Sequence, residues 1–494
     1  MTETANADVI EGIPSPATRD GKPTSVAFAL ISLTALLTVL GVGLLAFDAP
    51  LPLMMIVGFG ASLVIAAIRG VTYENAENAA FDMIRRGLQA LLIFVAVGAL
   101  IASWILSGTV PTMIYLGVEL IEPTFFLPTA ILLCAITSFI NGTNFGTVAT
   151  IGLALMGVAS ALDIPAGIAA GAIISGAIFG DKMSPVSDTT VLAAGLSGVP
   201  LIRHIRHMMW TTVPAILICL VVFTLVGMNH DADGSSTAGI DDVASALESG
   251  FSIGWIPLLP PILVFGLLMA RVEAFPALAL GVVAGVAVAV WYQGVDLTST
   301  LVALWEGYVP TEAQAESAGL LGGGETGGAL KLLGLAAIII FALAIAGVLA
   351  VSGVMHALLR AMEPRCGTPR RLVTATLVLS SLLNVIGGAV NFAVAMAVTT
   401  LRPLYDRQSL ARRNLSRAAE DAGTTTGPLV PWNATAVFTS TALGVSVGTY
   451  LPWALFCIIT PLISLGYALT GYTITHGPST GRSPEGVSAR QNGV

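Results

Sequence analysis

The sequence predicts an all-α polytopic membrane protein: an inverted repeat of two five-helix units, each with a re-entrant hairpin and a broken transmembrane helix. Three observations carry that prediction. Of the 494 residues, 55% are hydrophobic and only 10% charged, against roughly 25% charged in a soluble domain. The apolar residues gather into runs long enough to cross a bilayer instead of alternating with charge. The basic residues are confined to a subset of the intervening segments, as the positive-inside tendency of membrane proteins requires.

Taken in order, residues 1–24 are a polar tail with Glu3, Asp8, Glu11 and Asp20, expected in the cytoplasm. The apolar stretch after it has no convincing small-residue cleavage site, so it reads as an uncleaved first helix and not as a signal peptide. Spanning roughly 30 Å takes about 20 residues at 1.5 Å each. By that measure the crossing segments are approximately 26–47, 51–69, 88–107, 209–228, 254–270, 274–292, 332–351 and 451–474. Two further stretches, 124–200 and 372–445, are apolar but interrupted by Asn, Gly, Pro, Thr and Asp.

Charge sets the topology. Arg19, Lys22, Arg69, Arg85, Arg86, Arg203, Arg206, Arg271, the group from Arg360 to Arg417, Arg482 and Arg490 mark cytoplasmic segments. Segments 108–123, 229–253 and 293–330 hold no Lys or Arg but carry acids such as Asp231, Asp233, Asp241, Asp242, Glu312, Glu316 and Glu325, which places them outside. The simplest threading makes 124–160 a hairpin entering from outside, with its tip at Asn141-Gly142-Thr143-Asn144. Likewise 372–404 becomes a hairpin entering from inside, with its tip near Asn384 to Asn391. Segments 164–200 and 420–445 then cross with breaks at 181–188 and 423–433. Ten crossings and two hairpins put 19 of the 21 basic residues inside, the exceptions being Lys331 at an outer helix end and Lys182 within the membrane.

The resulting order is a first repeat over 25–228, an acidic extracytoplasmic linker over 229–253, a second repeat over 254–474 and a cytoplasmic tail over 475–494. The halves echo one another. Ser107-Gly108 through Glu122-Pro123 answers Ser352-Gly353 through Glu363-Pro364, and Asn141 with Asn144-Phe145 answers Asn384 with Asn391-Phe392. Gly180-Asp181 precedes one break as Glu420-Asp421 precedes the other. Inverted repeats interrupted at matching positions point to secondary transport, with the site at the repeat interface.

The first break, Gly180-Asp181-Lys182-Met183-Ser184-Pro185-Val186-Ser187-Asp188-Thr189-Thr190, gathers two carboxylates, an ammonium and four hydroxyls in an apolar region. A charge at bilayer depth costs about 2.5 to 3.5 kcal/mol on insertion scales, which argues for a function. Pro185 frees a backbone carbonyl, and the hydroxyls add oxygens of the kind a small hard cation prefers. Lys182 is expected to pair with a carboxylate when no cation is bound. The bland reading is a polar loop with Asp188 as helix N-cap. The second break, Thr424-Thr425-Thr426-Gly427-Pro428-Leu429-Val430-Pro431-Trp432-Asn433, is neutral and offers oxygens without adding charge. Glu420 and Asp421 before it suit a gate or helix terminus as well as binding. Asn141, Thr143, Asn144 and Asn391 at the hairpin tips can line the site, although Asn-Gly is also ordinary turn chemistry.

Other classes find little support. A net charge of −8 without a basic cluster on a soluble domain argues against nucleic-acid binding. Cys134, Cys219, Cys366 and Cys457 show no CxxC spacing and read as small core hydrophobes. Gly322-Gly323-Gly324 lacks the Lys-Ser/Thr of a phosphate loop, and no HExxH or GxSxG with partners supports an enzyme, so no cofactor is expected. Arg203-His204-Ile205-Arg206-His207 reads mainly as a positive-inside anchor, with a cytoplasmic pH-sensing role for its histidines as the alternative.

GDKMSPVSDTT at 180–190, SWILSGTVPTMIY at 103–115 and EDAGTTTGPLVPWN at 420–433 closely resemble the NhaC family of sodium/proton antiporters, within the ion transporter superfamily. The resemblance covers roughly 26–474. It implies Na+/H+ exchange, with Li+ as a second cation, across the cytoplasmic membrane by a homodimer with a scaffold and a mobile transport region. By similarity Asp181, Ser184, Ser187, Asp188 and Thr189 match one signature, and Asn433 with Thr424, Thr425 and Thr426 matches a second. Val191, where relatives often carry Asn, and the long acidic loop at 229–253 are departures that leave substrate choice open. The expected mechanism is competition of Na+ and a proton for Asp181 or Asp188. The alternative keeps the fold and exchanges a small organic acid of the malate or lactate type, which requires positive charge from Lys182 or from broken-helix N-termini.

Overall fold

A computed structural model of the chain describes residues 23–231, 238–270, 272–311, 314, 327–362, 364 and 366–477. Most of both tails, Asp233, Arg271, Glu312, Glu316 and Glu325 lie outside the described residues. α1 (Val26–Ala46) starts where Ser25 accepts from the Phe28 amide, and α2 (Leu51–Ile68) follows with Pro52 in its first turn. α3 (Tyr73–Leu106) is longer than its apolar run, because Thr72 caps it and no proline separates the polar first turns from the run. The chain then bends by 70° at Gly108, whose φ of +72° suits glycine, into α4 (Thr109–Leu120). The segment expected as an outer loop is therefore a largely buried helix.

The first hairpin runs up α5 (Phe126–Asn141), turns at Gly142, and returns through α6 (Asn144–Thr147), a π turn (Val148–Gly152) and α7 (Leu153–Ala161). α8 (Ala166–Met183) and α9 (Asp188–Ser197) are the two pieces of the first broken helix, followed by α10 (Leu201–Asp231). The expected linker contains α11 (Ala238–Gly250). Next come α12 (Leu259–Met269) and α13 (Ala274–Trp291); α12 is shorter than the apolar run because Pro257 sits in a 3-10 turn before it and Pro260 and Pro261, in its first turn, supply no backbone donors to carry the helix further back. α14 (Leu297–Glu306), α15 (Ala329–Val351) and α16 (Val354–Met362) lead to the second hairpin. Its arms are α17 (Pro369–Gly387) and α18 (Val390–Arg407), turned by Gly388 at φ +61°. The second broken helix has pieces α19 (Arg412–Thr426) and α20 (Ala434–Leu443). The chain bends by 89° into α21 (Val447–Tyr450) and ends in α22 (Leu455–Thr470), shorter than the run at 451–474.

Among the described residues, eight helices are long and apolar enough to cross a membrane, or up to ten if each bent pair is one span. α1, α2 and α10 turn Leu30, Ile31, Val64, Leu217 and Val221 outward, the apolar surface that lipid requires. At the centre α3 packs along α15, with α2 beside α15 and α13 beside α3. Each hairpin leans on its own broken helix, α5 on α8 and α17 on α19, while α9 also packs on α18.

Glycine makes the α5–α8 contact possible. A Cβ at Gly176 would strike the Ile131 carbonyl, and one at Gly180 would strike the Ala135 carbonyl and the Phe139 amide, all backbone atoms that cannot swing aside. Gly180→Ala is expected to destabilise the protein by about 1 to 3 kcal/mol, the usual range for overpacking. Gly266→Ala, with nothing within 4 Å of the added carbon, should leave the thermal unfolding midpoint in detergent unchanged. Equal midpoints for the two variants would refute the close-packing account.

Candidate functional site

The first break is built by the local sequence. α8 ends at Met183, Ser184 turns extended at φ −76° and ψ 131°, and Pro185 supplies no backbone donor to continue the helix. Ser187 is the N-cap residue of α9, so Asp188 is the first helical residue and not the cap. Its Oδ1 accepts from the Thr189 amide at 2.9 Å, at the helix end where negative charge is favoured. Both hairpin tips reach the breaks. Gly142 leaves room for Val186 in the first break, and the Gly388 carbonyl accepts from the Ala434 amide of the second at 2.8 Å.

Between these pieces lies a cavity of about 1010 Å³. Its polar wall includes Asn141, Thr143, Asn144, Asp181, Asp188, Thr189, Asn391 and Thr435, and its apolar wall includes Phe139, Leu343 and Met396. It extends to Leu196, whose carbonyl accepts from Arg402, and to Glu273. A second cavity of about 450 Å³ is lined by Ser160, Asp163, Lys331 and Thr441. Asp181 is only 1% exposed. One of its oxygens, Oδ2, accepts from Asn144 Nδ2 at 2.5 Å. The other, Oδ1, is buried and accepts no hydrogen bond of normal geometry, with the Ser187 hydroxyl near enough to Asp181 to help stabilise its charge; Asn144 Oδ1 and Asn141 Oδ1 are likewise buried without a partner. Three orphaned oxygens, one of them on a carboxylate, thus border one cavity. Buried acceptors left this way are costly, and oxygens are what a small hard cation binds.

Asp188 is exposed to the cavity, and its Oδ2 accepts from Asn391 Nδ2 at 2.8 Å, so each hairpin tip sends one asparagine to one carboxylate of the first break. Ser184 and Ser187 are fully buried beside the cavity and not in its lining; Ser184 Oγ accepts from the Val186 amide, and Ser187 Oγ lies 3.0 Å from Thr189 Oγ1. Lys182 turns away. It is 0% exposed, and its Nζ lies 3.1 Å from Asp421 Oδ1 and 3.4 Å from Met208 Sδ.

The second break forms a separate buried knot. Asn384 donates to the Gly423 carbonyl at 2.6 Å and to Thr426 Oγ1 at 2.9 Å, and Asn433 Nδ2 donates to Asn384 Oδ1 at 3.1 Å. Thr425 donates to the Asp421 carbonyl, Thr424 Oγ1 is buried without a bond, and Asn433 Oδ1 caps α20 through the Thr435 amide. Of this set only Thr435 reaches the large cavity. One break is knotted, with Thr424 Oγ1 left over, where the other is open to the cavity.

Two features were not in the sequence reading. Thr435 lines the cavity because it is the second residue of α20, a register that the Asn433 cap sets. His204 and Arg417, read as positive-inside residues, are both 0% exposed. The first turn of α10 packs His204 against α19, with its Nε2 2.6 Å from Glu420 Oε2.

The Na+/H+ antiporter family model matches residues 176–472. The Na+/H+ antiporter NhaC of Alkalihalophilus pseudofirmus is 34% identical over 457 residues, covering 91% of this chain and 96% of that protein. The malate-2H+/Na+-lactate antiporter of Bacillus subtilis is 36% identical, covering 85% of this chain and 90% of its own. The arginine/ornithine antiporter ArcD of Halobacterium salinarum is 33% identical, covering 91% and 93%.

Proposed function

The chain belongs to the Na+/H+ antiporter family, and from that premise we propose that it exchanges Na+, with Li+ as an alternative cation, for H+ across the cell membrane. The observation that carries the site is the trio of orphaned oxygens, Asp181 Oδ1, Asn141 Oδ1 and Asn144 Oδ1, beside the large cavity. Asp188 and Asn391 form the outer ring of the same site, and Thr143, Thr189 and Thr435 supply hydroxyls around it. A Na+ ion or a proton each neutralises Asp181, whereas the bare carboxylate is expensive at bilayer depth. Loaded forms therefore move between the two sides and the empty form does not, which couples the fluxes. Ser184, Ser187 and the Thr424–Thr426 and Asn433 knot shape the two breaks without touching the ion.

Alternating access fits an inverted repeat of two five-helix units. In support, α2 packs on α15 as α13 packs on α3, and α5 leans on α8 as α17 leans on α19. The hairpins are re-entrant in this reading, with both termini cytoplasmic, following the basic residues. The homodimer rests on the family resemblance alone.

The charge of the cavity decides between substrates. Among the described residues that line it, Asp181, Asp188 and Glu273 are acidic and none is Lys, Arg or His. An organic acid would meet three carboxylates, and Lys182, the residue expected to receive it, is committed to Asp421. The test is proton movement in everted vesicles on adding Na+, Li+ or K+, with and without malate and lactate. Release on Na+ or Li+ alone supports cation exchange; release that requires an organic acid overturns it.

A further inference from the structure

The cavity leaves unused the most highly charged part of the interior. Lys182 on α8, His204 on α10, and Arg417, Glu420 and Asp421 on α19 are all 0% exposed. Asp421 holds both cations, Lys182 at 3.1 Å and Arg417 at 3.8 Å. Glu420 is left to His204, 2.6 Å away, and to Thr190 of α9, whose Oγ1 lies 2.9 Å from Glu420 Oε1. The same Oγ1 also lies 3.0 Å from the Lys182 carbonyl oxygen, in the last turn of α8 and one residue beyond Asp181.

A hydroxyl has one proton to give. When Glu420 is ionised, Thr190 faces two acceptors and can fully serve only one. When Glu420 is protonated, its carboxyl donates to Thr190, Thr190 donates to the Lys182 carbonyl, and Glu420 Oε2 accepts from the Nε2–H of a neutral His204. Both Glu420 oxygens, the Thr190 hydroxyl and His204 Nε2 are then paired, and His204 Nδ1 is the one atom of the junction left without a partner. The geometry has a place for one more proton, and losing that proton rewires the end of α8.

Charge ties this place to the cation site. Lys182 and Arg417 against Asp181, Asp421 and Glu420 sum to one negative charge, which one proton held by the Glu420–His204 pair would cancel. Protons at Asp181 and Glu420 and a cation at Asp181 all relieve that charge, so each one bound weakens the hold on the next. We propose that the Glu420–His204 pair is a second proton-carrying site of the exchange, and that a proton there and Na+ at Asp181 exclude each other. This rests on the Na+/H+ reading above. Thr190 of α9 contacts the pair directly, Asp181 of α8 acts on Glu420 through its charge, and around them stand Lys182 from α8, His207 and Thr211 from α10, and Arg417, Asp421 and Asn414 from α19. Arg413, beyond His207, and Tyr467 of α22, beyond Arg417, complete the shell.

The test uses the full chain in proteoliposomes and follows the half-saturating Na+ concentration for proton release across a pH series. By linkage its logarithm falls with pH in proportion to the protons Na+ displaces. Removing one of two such sites should cut that slope by about half. Glu420→Gln, which stays neutral, is expected to do so while exchange continues, and Glu420→Asp is expected to restore the slope. Thr190→Val, which breaks the relay, should lower the slope, and Thr190→Ser should keep it. An unchanged slope in Glu420→Gln overturns the proposal, and if that variant does not fold, an unchanged slope in Thr190→Val does. Asp181→Asn serves as the separate check: proton release that survives it removes the cation site, independently of Glu420.

Discussion

Asp181→Asn is expected to reduce Na+-driven proton release to the level of vesicles without the protein, whereas Asp188→Asn should keep exchange with a weaker cation affinity. The two carboxylates stand in different surroundings. Asp181 is 1% exposed with one oxygen unsatisfied, so its charge is balanced by whatever cation or proton it holds. Asparagine preserves its size and can still accept from Asn144, so the fold should tolerate the change while the site loses the charge that both Na+ and H+ need. Asp188 is exposed and stabilised by the Thr189 amide and by Asn391. It attracts a cation across a wet gap, where an interaction is worth about 1 kcal/mol, so its loss should raise the half-saturating Na+ concentration by about five- to tenfold. The measurement is a Na+ titration of proton release for both variants. Equal losses, or a greater loss from Asp188→Asn, would move the ion to the open part of the cavity.

Much of this site is legible in the chain because breaks in apolar helices are written in residue types. Gly142 after Asn141, Pro185, and the prolines of the second break locate the hairpin tip and both interruptions, and the backbone turns there. What the sequence does not display is helix phase across distant elements. Adjacent residues on a helix point about 100° apart, at 3.6 residues per turn, so Asp181 can face the cavity while Lys182 faces α19. No local pattern identifies Asp421 as its partner. The same blindness affects Arg417 and His204. Their neighbours Arg413 and Arg203 fit a cytoplasmic anchor, yet the second turn of α19 and the first turn of α10 carry these two inward. The second break was legible as a break but not as a knot, since its hydrogen bonds depend on Asn384 arriving from α17. Length misled at α3 and α12: hydropathy sees the apolar run, whereas Thr72 extends one helix and three prolines shorten the other.

The pairing of Lys182 with Asp421 makes a prediction that is asymmetric between the partners. Asp421 is the anion in contact with two buried cations, so Asp421→Asn leaves Lys182 and Arg417 with their charges uncompensated at close range. Breaking a buried pair this way costs about 3 to 5 kcal/mol. Lys182→Met removes one cation, substitutes an unbranched apolar chain, and leaves Asp421 with Arg417 and the Thr211 hydroxyl at 2.9 Å. Its cost should be smaller, of the order of 1 to 2 kcal/mol, because no charge is left bare. In detergent Asp421→Asn should therefore unfold at a clearly lower temperature than Lys182→Met. The opposite order would mean that Lys182 balances Asp181 across the α8 terminus, and the single negative charge assigned to the buried set would then have to be redistributed between the cavity and the cluster behind it.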